Sequence, residues 1–295
     1  MRRALKLVLK GAALLLAALV VLVALLGAGG RLWAEHKRHR IVEVAVAPLP
    51  LRDDAAAVPR GRYLFESRGC ASCHGLDAGG RVFENDGRGV ELAAPNLTPQ
   101  GKVARYGGSD WARAVRHGVR PDGRPLMMMP SEDFNRLTDA DLGAIVAYLR
   151  QLPGLPGGEA RIRLPFVAWV AYGFGFLRDA PERVDHQLPP AQPVPEAVTP
   201  EHGAYVASMC VGCHGAALEG GRVPGNPPHW PPAARLAPGA GSVMANYPDA
   251  ASLRKLFHTG LRPDGSRVTV MPFESLARLS DVDLQALHLF LQRGR

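Results

Sequence analysis

Two stretches concentrate the reactive side chains of this chain: Cys70-Ala-Ser-Cys73-His74 and Cys210-Val-Gly-Cys213-His214. Between them they use all four cysteines. Two thiols separated by two residues fall on one side of a single turn, and the adjacent histidine faces the same centre. Such a set can add both sulfurs to the vinyl groups of a haem and place an imidazole on its iron. The same thiol spacing also serves zinc half-sites and redox disulfides. Zinc would need further ligands at finger spacing, and a dithiol redox motif has no use for the following histidine. Two complete copies with no cysteine left over point to two covalently bound haem c groups. Cys70, Cys73, Cys210 and Cys213 would carry the thioethers, and His74 and His214 would be axial ligands.

The distal ligands follow from an internal register. Gly61 and Tyr63 match Gly203 and Tyr205 at a spacing of 142, and the cysteines match at 140. Gly79-Gly80-Arg81 answers Gly220-Gly221-Arg222. The spacing of 142 returns at Arg120-Pro121-Asp122-Gly123 and Arg262-Pro263-Asp264-Gly265. One register held across that many landmarks predicts a duplicated domain. Met129-Pro130 and Met271-Pro272 lie at equivalent places, so Met129 and Met271 are read as the second axial ligands. Met127 and Met128 stand beside Met129 as substitutes, and most methionines are simply core or loop fillers. His117 and His258 are rivals in principle, but His117 aligns with Thr259 and His258 with Arg116. Both are expected to be surface or loop histidines.

These ligands need helices to hold them. Thr199-Pro200-Glu201 combines a capping hydroxyl with proline at the first helical position, predicting a helix through Tyr205 into the second cysteine motif. Thr138-Asp139-Ala140-Asp141 and Ser280-Asp281-Val282-Asp283 resemble capping boxes, with Asp where Glu is usual. Apolar stripes follow at Leu142, Ile145, Val146 and Leu149, and at Leu284, Leu287, Leu289 and Leu291. Tyr148 and Phe290 match in register and are expected to pack on the first helix of their own copy. Nothing alternates as a strand does, so the expected fold is all-α. The 33 Gly and 26 Pro suit loops wrapped around a flat cofactor.

The 295 residues carry a net charge of +8, which would suggest nucleic acid until it is located. Residues 1–40 hold eight basic side chains against Glu35 alone, a balance of +7 that leaves +1 over residues 41–295. The basic end therefore belongs to a membrane segment, and no nucleic-acid partner is expected. Gly11 to Gly30 is a run of 20 uncharged residues, about 30 Å as a helix and enough to cross a bilayer core. A cleaved signal is the alternative, with Gly27-Ala28-Gly29 as a small-residue cleavage site, but the run exceeds a usual signal core. We read residues 1–30 as a retained N-terminal transmembrane anchor. Basic residues flank it equally and do not orient it; haem attachment, which takes place outside the cytoplasm, puts the remainder in the periplasm of a bacterial inner membrane.

The expected organisation is then an anchor at 1–30, a linker at 31–57, haem domains at 58–153 and 199–293, and a connector at 154–198. Within the connector, Leu164 to Leu177 is 14 uncharged residues, too short to span a membrane. It could lie on the membrane surface or meet a partner; the preferred reading is a helix buried between the two haem domains. Residues 179–200 contain six prolines, a stiff spacer. The loop Pro224–Pro232, with His229 and Trp230, either covers a haem edge or is only rigid.

Each copy resembles a class I cytochrome c domain: first helix, Cys-x-x-Cys-His, distal Met on a loop, last helix. In the first copy, Ala94-Pro95-Asn96-Leu97-Thr98-Pro99, Trp111, Arg120–Pro125 and Leu137–Leu142 are similar to the multi-haem cytochrome subunits of membrane-bound alcohol, gluconate and sorbitol dehydrogenases. Arg163-Leu164-Pro165-Phe166, running on to Trp169 and Leu177, resembles their connection after the first haem domain. Those subunits usually carry three haems and a C-terminal anchor, whereas this chain has two motifs and an N-terminal one. The resemblance implies two tandem haem domains passing electrons from a dehydrogenase toward a quinone or terminal oxidase. Redox proteins and the membrane are thus the expected partners. With both axial positions filled the iron offers no substrate site, so a carrier of single electrons is expected rather than a catalyst. The competing class, a di-haem peroxidase or thiosulfate dehydrogenase, would need one open or differently ligated haem, and a gas sensor would need an output domain too.

Overall fold

A computed structural model describes residues 2–51, 54–223, 226 and 229–293. Helix α1 spans Arg2–His39, and the most apolar part of it is not buried within the protein. Two segments follow in which the same series of helices recurs. The first has α2 (Val58–Ser67), α3 (Cys70–His74), α4 (Gly108–His117), α5 (Ser131–Phe134) and α6 (Asp139–Gln151). After α7 (Phe166–Gly173) the second has α8 (Pro200–Ala207), α9 (Val211–His214), α10 (Ala250–Thr259), α11 (Phe273–Leu276) and α12 (Asp281–Arg293).

The expected caps form. The Thr138 hydroxyl accepts from Asp141 N at 3.0 Å, Ser280 from Asp283 N at 3.1 Å, and Thr199 from His202 N at 3.2 Å. Inside each segment the first and last helices cross at a glycine. A Cβ on Gly61 would collide with the Ala144 carbonyl, and one on Gly203 with the Ala286 carbonyl. The close crossing brings Tyr148 and Phe290 onto the first helix of their own segment, as expected. Two separate apolar clusters result. One is built on Leu64, Phe65, Trp111 and Leu142, the other on Val206, Leu253, Phe257 and Leu284.

Three observations depart from the sequence reading. A small antiparallel sheet is present, with β1 (Val82–Asn85), β2 (Glu91–Ala93) and β3 (Arg161–Arg163) in that order. The fold is mostly helical rather than wholly so; strands of three or four residues, one of them contributed from beyond α6, are too short to show a period. Second, α7 is not buried between the two segments but packs along α1, with Phe166 60% and Val167 70% exposed. Third, His117 is no surface residue. It is buried at the end of α4 with its Nδ1 3.0 Å from Nδ1 of His186 in the connector, while His258 is exposed as expected. Burial, then His186 and Arg116, lower His117 to about 4. In the 224–232 loop, Pro224, Gly225, Pro227 and Pro228 lie outside the described residues; His229 is exposed and Trp230 half-buried.

Candidate haem sites

Each cysteine motif is a short helical turn ended by glycine. Gly75 (φ +82°) follows His74, and Gly215 (φ +78°) follows His214; that region of φ favours glycine and lets the chain turn away at once from the imidazole. The His74 Nδ1–H donates to the Pro95 carbonyl at 2.9 Å, and the His214 Nδ1–H to the Ala234 carbonyl at 2.7 Å. A carbonyl can only accept, so Nδ1 holds the proton and Nε2 keeps its lone pair. Burial lowers the pKa of both rings, opposed in part by those carbonyl bonds. Each is a neutral imidazole with an assigned tautomer, the state a metal-binding histidine requires.

Burial also holds the four thiols in their protonated form. Burial pushes Cys70 and Cys210 up to about 12, and burial also raises Cys73 and Cys213. None is in a disulfide. Protonated thiols are poor redox nucleophiles. Cys70 and Met129 pack on the first apolar cluster, Cys210 and Met271 on the second. Among the three adjacent methionines, Met129 is the one packed on this cluster, whereas Met128 is 42% exposed. Met244 is buried in the turn Val243–Asn246, at the place Val103 takes in the turn Lys102–Arg105, and is a core residue. A cavity of about 130 Å³ opens in the first segment among Leu97, Val103, Tyr106, Trp111 and Leu149. Paired thiols, an oriented imidazole and an apolar wall carrying a methionine fit haem c in both segments.

The two segments are joined by a reciprocal set of contacts around these turns. Tyr63 donates to Asp283 at 2.5 Å and accepts from Ser280 N at 3.0 Å. Tyr205 donates to Asp141 at 2.7 Å and accepts from Thr138 N at 3.2 Å. Each phenol therefore caps the last helix of the other segment. The cysteine turns cross over likewise. Ser72 meets Ser275 on α11 at 2.9 Å, and Gly212 N donates to Asp133 on α5 at 2.7 Å. Burial pushes Asp133 up to about 8 despite that bond. A second cavity, about 290 Å³, lies where α3 meets α11, lined by Ala71, Ser72, Leu76, Arg81, Glu274 and Ser275.

The profile of the cytochrome c family matches residues 58–153, the stretch holding the first motif and Met129. Residues 58–153 form a cytochrome c domain. Such a domain implies covalently bound haem c. The chain is 28% identical over 144 residues to the fructose dehydrogenase cytochrome subunit of Gluconobacter japonicus, covering 45% of this chain and 29% of that one. It is 33% identical over 126 residues to the cytochrome c subunit of alcohol dehydrogenase (quinone) from Gluconacetobacter polyoxogenes, covering 39% and 26%. It is 34% identical over 111 residues to the gluconate 2-dehydrogenase cytochrome c subunit of Pantoea cypripedii, covering 33% and 24%. The chain thus spans between 24% and 29% of the length of these relatives. All three are named as cytochrome subunits of dehydrogenases.

Residues that sequence reasoning did not place at the sites are those at the junction: Tyr63, Arg68, Asp133, Asp141, Tyr205 and Asp283. Both capping boxes carry Asp at the third helical position, and neither makes the back-bond to its own cap: Thr138 N and Ser280 N donate to the Tyr205 and Tyr63 hydroxyls, which in turn donate to Asp141 and Asp283.

Proposed function

We propose that this chain is a membrane-anchored, di-haem c-type cytochrome. Its two tandem class I cytochrome c domains, residues 58–153 and 199–293, would face the periplasm from a bacterial inner membrane. They would pass single electrons between a dehydrogenase or quinol-oxidising complex and a terminal oxidase. The observation that carries this reading is the recurrence of one complete ligand set. In each segment a Cys-x-x-Cys-His turn has Nδ1 of its histidine tied to a carbonyl about twenty residues on, and a Met-Pro methionine on the same apolar cluster.

Haem c bound at each site supplies a one-electron iron couple. Cys70 and Cys73, and Cys210 and Cys213, would hold the two groups. The carbonyls of Pro95 and Ala234 keep His74 and His214 in the tautomer that presents Nε2, and raise the basicity of that ligand. Met129 and Met271 would occupy the sixth positions, leaving no place for a substrate and raising the potential. The dehydrogenase as electron donor is supported by the names of the relatives. Helix α1, uncharged from Gly11 to Gly30, is compatible with the anchor, and a tether of this kind raises the effective concentration of partners in the same membrane.

The test is a haem count together with spectra of the oxidised and dithionite-reduced protein, with and without carbon monoxide. Two c-type haems per chain, both low-spin and unchanged by carbon monoxide, are expected. One haem per chain would remove the second domain assignment. A high-spin haem that takes carbon monoxide would remove the methionine assignment in that segment and favour a di-haem redox enzyme.

A further inference from the structure

The connector segment 164–177 has no role in either haem site, yet it is the least polar stretch of the chain after α1. It lies alongside the outer end of α1, at the boundary between the uncharged run that ends at Gly30 and the charged residues Arg31–Arg40. A Cβ on Gly30 would lie 2.7 Å from the Phe174 ring and 2.8 Å from Val170, and one on Gly173 would overlap the Gly30 carbonyl. The Phe166 ring reaches down to Gly27, 3.3 Å from where its Cβ would be. Small residues on both helices allow this approach, as they do between helices in lipid.

Polar contacts hold the water side of the same junction. Arg40 makes a two-pronged bond to Asp179 at 2.5 and 2.8 Å, and Tyr172 donates to Asp179 at 2.7 Å. Lys37 donates to the Tyr172 carbonyl at 3.1 Å and pairs with Glu182 at 2.9 Å. Arg31 and Arg38 stand over the Trp169 ring at 5.4 and 5.7 Å. What this lock leaves outward is apolar. Phe166, Val167, Phe174 and Phe176 are 60%, 70%, 50% and 74% exposed, and Trp33 of α1 is 59% exposed beside them.

We infer that residues 166–177 are a second membrane contact, seated in the headgroup–acyl boundary of the bilayer that α1 crosses; the inference rests on reading α1 as a retained span. Lipid is the occupant because the patch is continuous with the uncharged surface of α1 and begins at its depth. Arg163 and Arg178 flank the patch in sequence, long side chains of the kind that reach headgroups, and tryptophans stand at the boundary, the residue type favoured there. Four large apolar side chains on an eight-residue helix and its tail would otherwise face water as one patch. Two membrane contacts locked together by Arg40 and Asp179 set the tilt of the first haem segment above the surface, which a single helix followed by a free linker could not do.

Site-directed spin labels on the full-length, haem-loaded protein in phospholipid vesicles test this, since the native cysteines would be spent as thioethers. Labels go on Val167→Cys and Phe176→Cys, with Leu22→Cys as the span control and Leu188→Cys, 45% exposed on the connector, as the water control. Collision with oxygen is compared with collision with a water-soluble nickel chelate, and the haem spectrum of each variant reports that it is folded. The oxygen-to-nickel ratio at Val167→Cys and Phe176→Cys is expected to exceed that at Leu188→Cys several-fold and to approach Leu22→Cys. Nickel-accessible labels at those two positions, with Leu22→Cys still in lipid, would overturn the membrane contact and leave the anchor intact. Labels shielded from both reagents would also overturn it, in favour of a protein contact. A water-exposed Leu22→Cys would overturn the anchor and this inference together.

Discussion

The two halves of the junction use the same backbone geometry with different charges. Asp283, fully buried, receives Tyr63 and Arg68 from the first segment and His202 from helix α8 of its own segment. Its counterpart Asp141 receives Tyr205 from the second segment and Arg60 from helix α2 of its own segment. Burial alone would raise Asp283, yet Arg68 and the bonds from Tyr63 and His202 hold it below the usual carboxylate range. Arg68 has no equivalent, because its counterpart in the register of the cysteines is Ser208, which bonds only to the Tyr205 carbonyl. The comparison teaches that the tyrosine–cap geometry is the common element, while one half has an added buried charge pair. The half of the junction built on Asp283 therefore carries a buried charge pair between the segments that the half built on Asp141 lacks.

The comparison can be tested at four levels of effect. Gly61→Ala and Gly203→Ala should each cost about 4 kcal/mol or more, because the new methyl meets backbone of the crossing helix and not a movable side chain. Equal losses in chemical denaturation would show that the two crossings are alike; a harmless Gly203→Ala would break the equivalence. Arg68→Ala comes next, at about 3–4 kcal/mol, since it strands Asp283 without its charge partner. Arg60→Ala, a half-exposed pair, should cost about 1 kcal/mol, and similar values for the two would end the claimed asymmetry.

Tyr63→Phe and Tyr205→Phe should each lose about 1–2 kcal/mol, as a buried carboxylate and a cap N–H both lose their partner. A double-mutant cycle of Tyr63→Phe with Asp283→Asn should show coupling, whereas Tyr63→Phe with Asp141→Asn should be additive. A further effect concerns acid. His117 sits near 4 in the folded protein against an ordinary value of 6.5, so the unfolded chain binds a proton that the folded one refuses between those pH values. Its contribution is complete above pH 6.5 and is lost as pH falls toward 4, about 1–2 kcal/mol by pH 5. Thr259 stands exposed at the equivalent place, so His117→Thr should remove this acid sensitivity when denaturation at pH 7 and pH 5 is compared. An unchanged pH dependence in the variant would assign it elsewhere.

Much of the helical framework was legible because its determinants are local. Thr138, Thr199 and Ser280 cap helices whatever lies around them, and the apolar stripes after the caps need only a helical period to be seen. Register alone singles out Met129 over Met128; in the fold Met129 packs on the first apolar cluster and Met128 is 42% exposed. The strands were not legible, because β3 pairs with β2 from 70 residues away and none is long enough to alternate. His117 was misread as exposed because its cover, His186, comes from the proline-rich connector rather than from its own helix. The connector helix itself was placed wrongly for a related reason. Its composition demands an apolar partner, and no local pattern says that α1 supplies it.

The sequence by itself determined the candidate ligand sets: two Cys-x-x-Cys-His turns, a Met-Pro pair in register with them, and caps that start the helices flanking both. These depend on spacing within a turn or on repetition along the chain, and neither requires knowing what packs on what. Only the tertiary structure decided which groups meet across distance. It gave each tyrosine to the other segment's cap, set Arg68 on Asp283, and laid α7 against α1 at Gly30 and Gly173. Those pairings depend on surfaces that exist only after each segment has folded, so no local pattern encodes them.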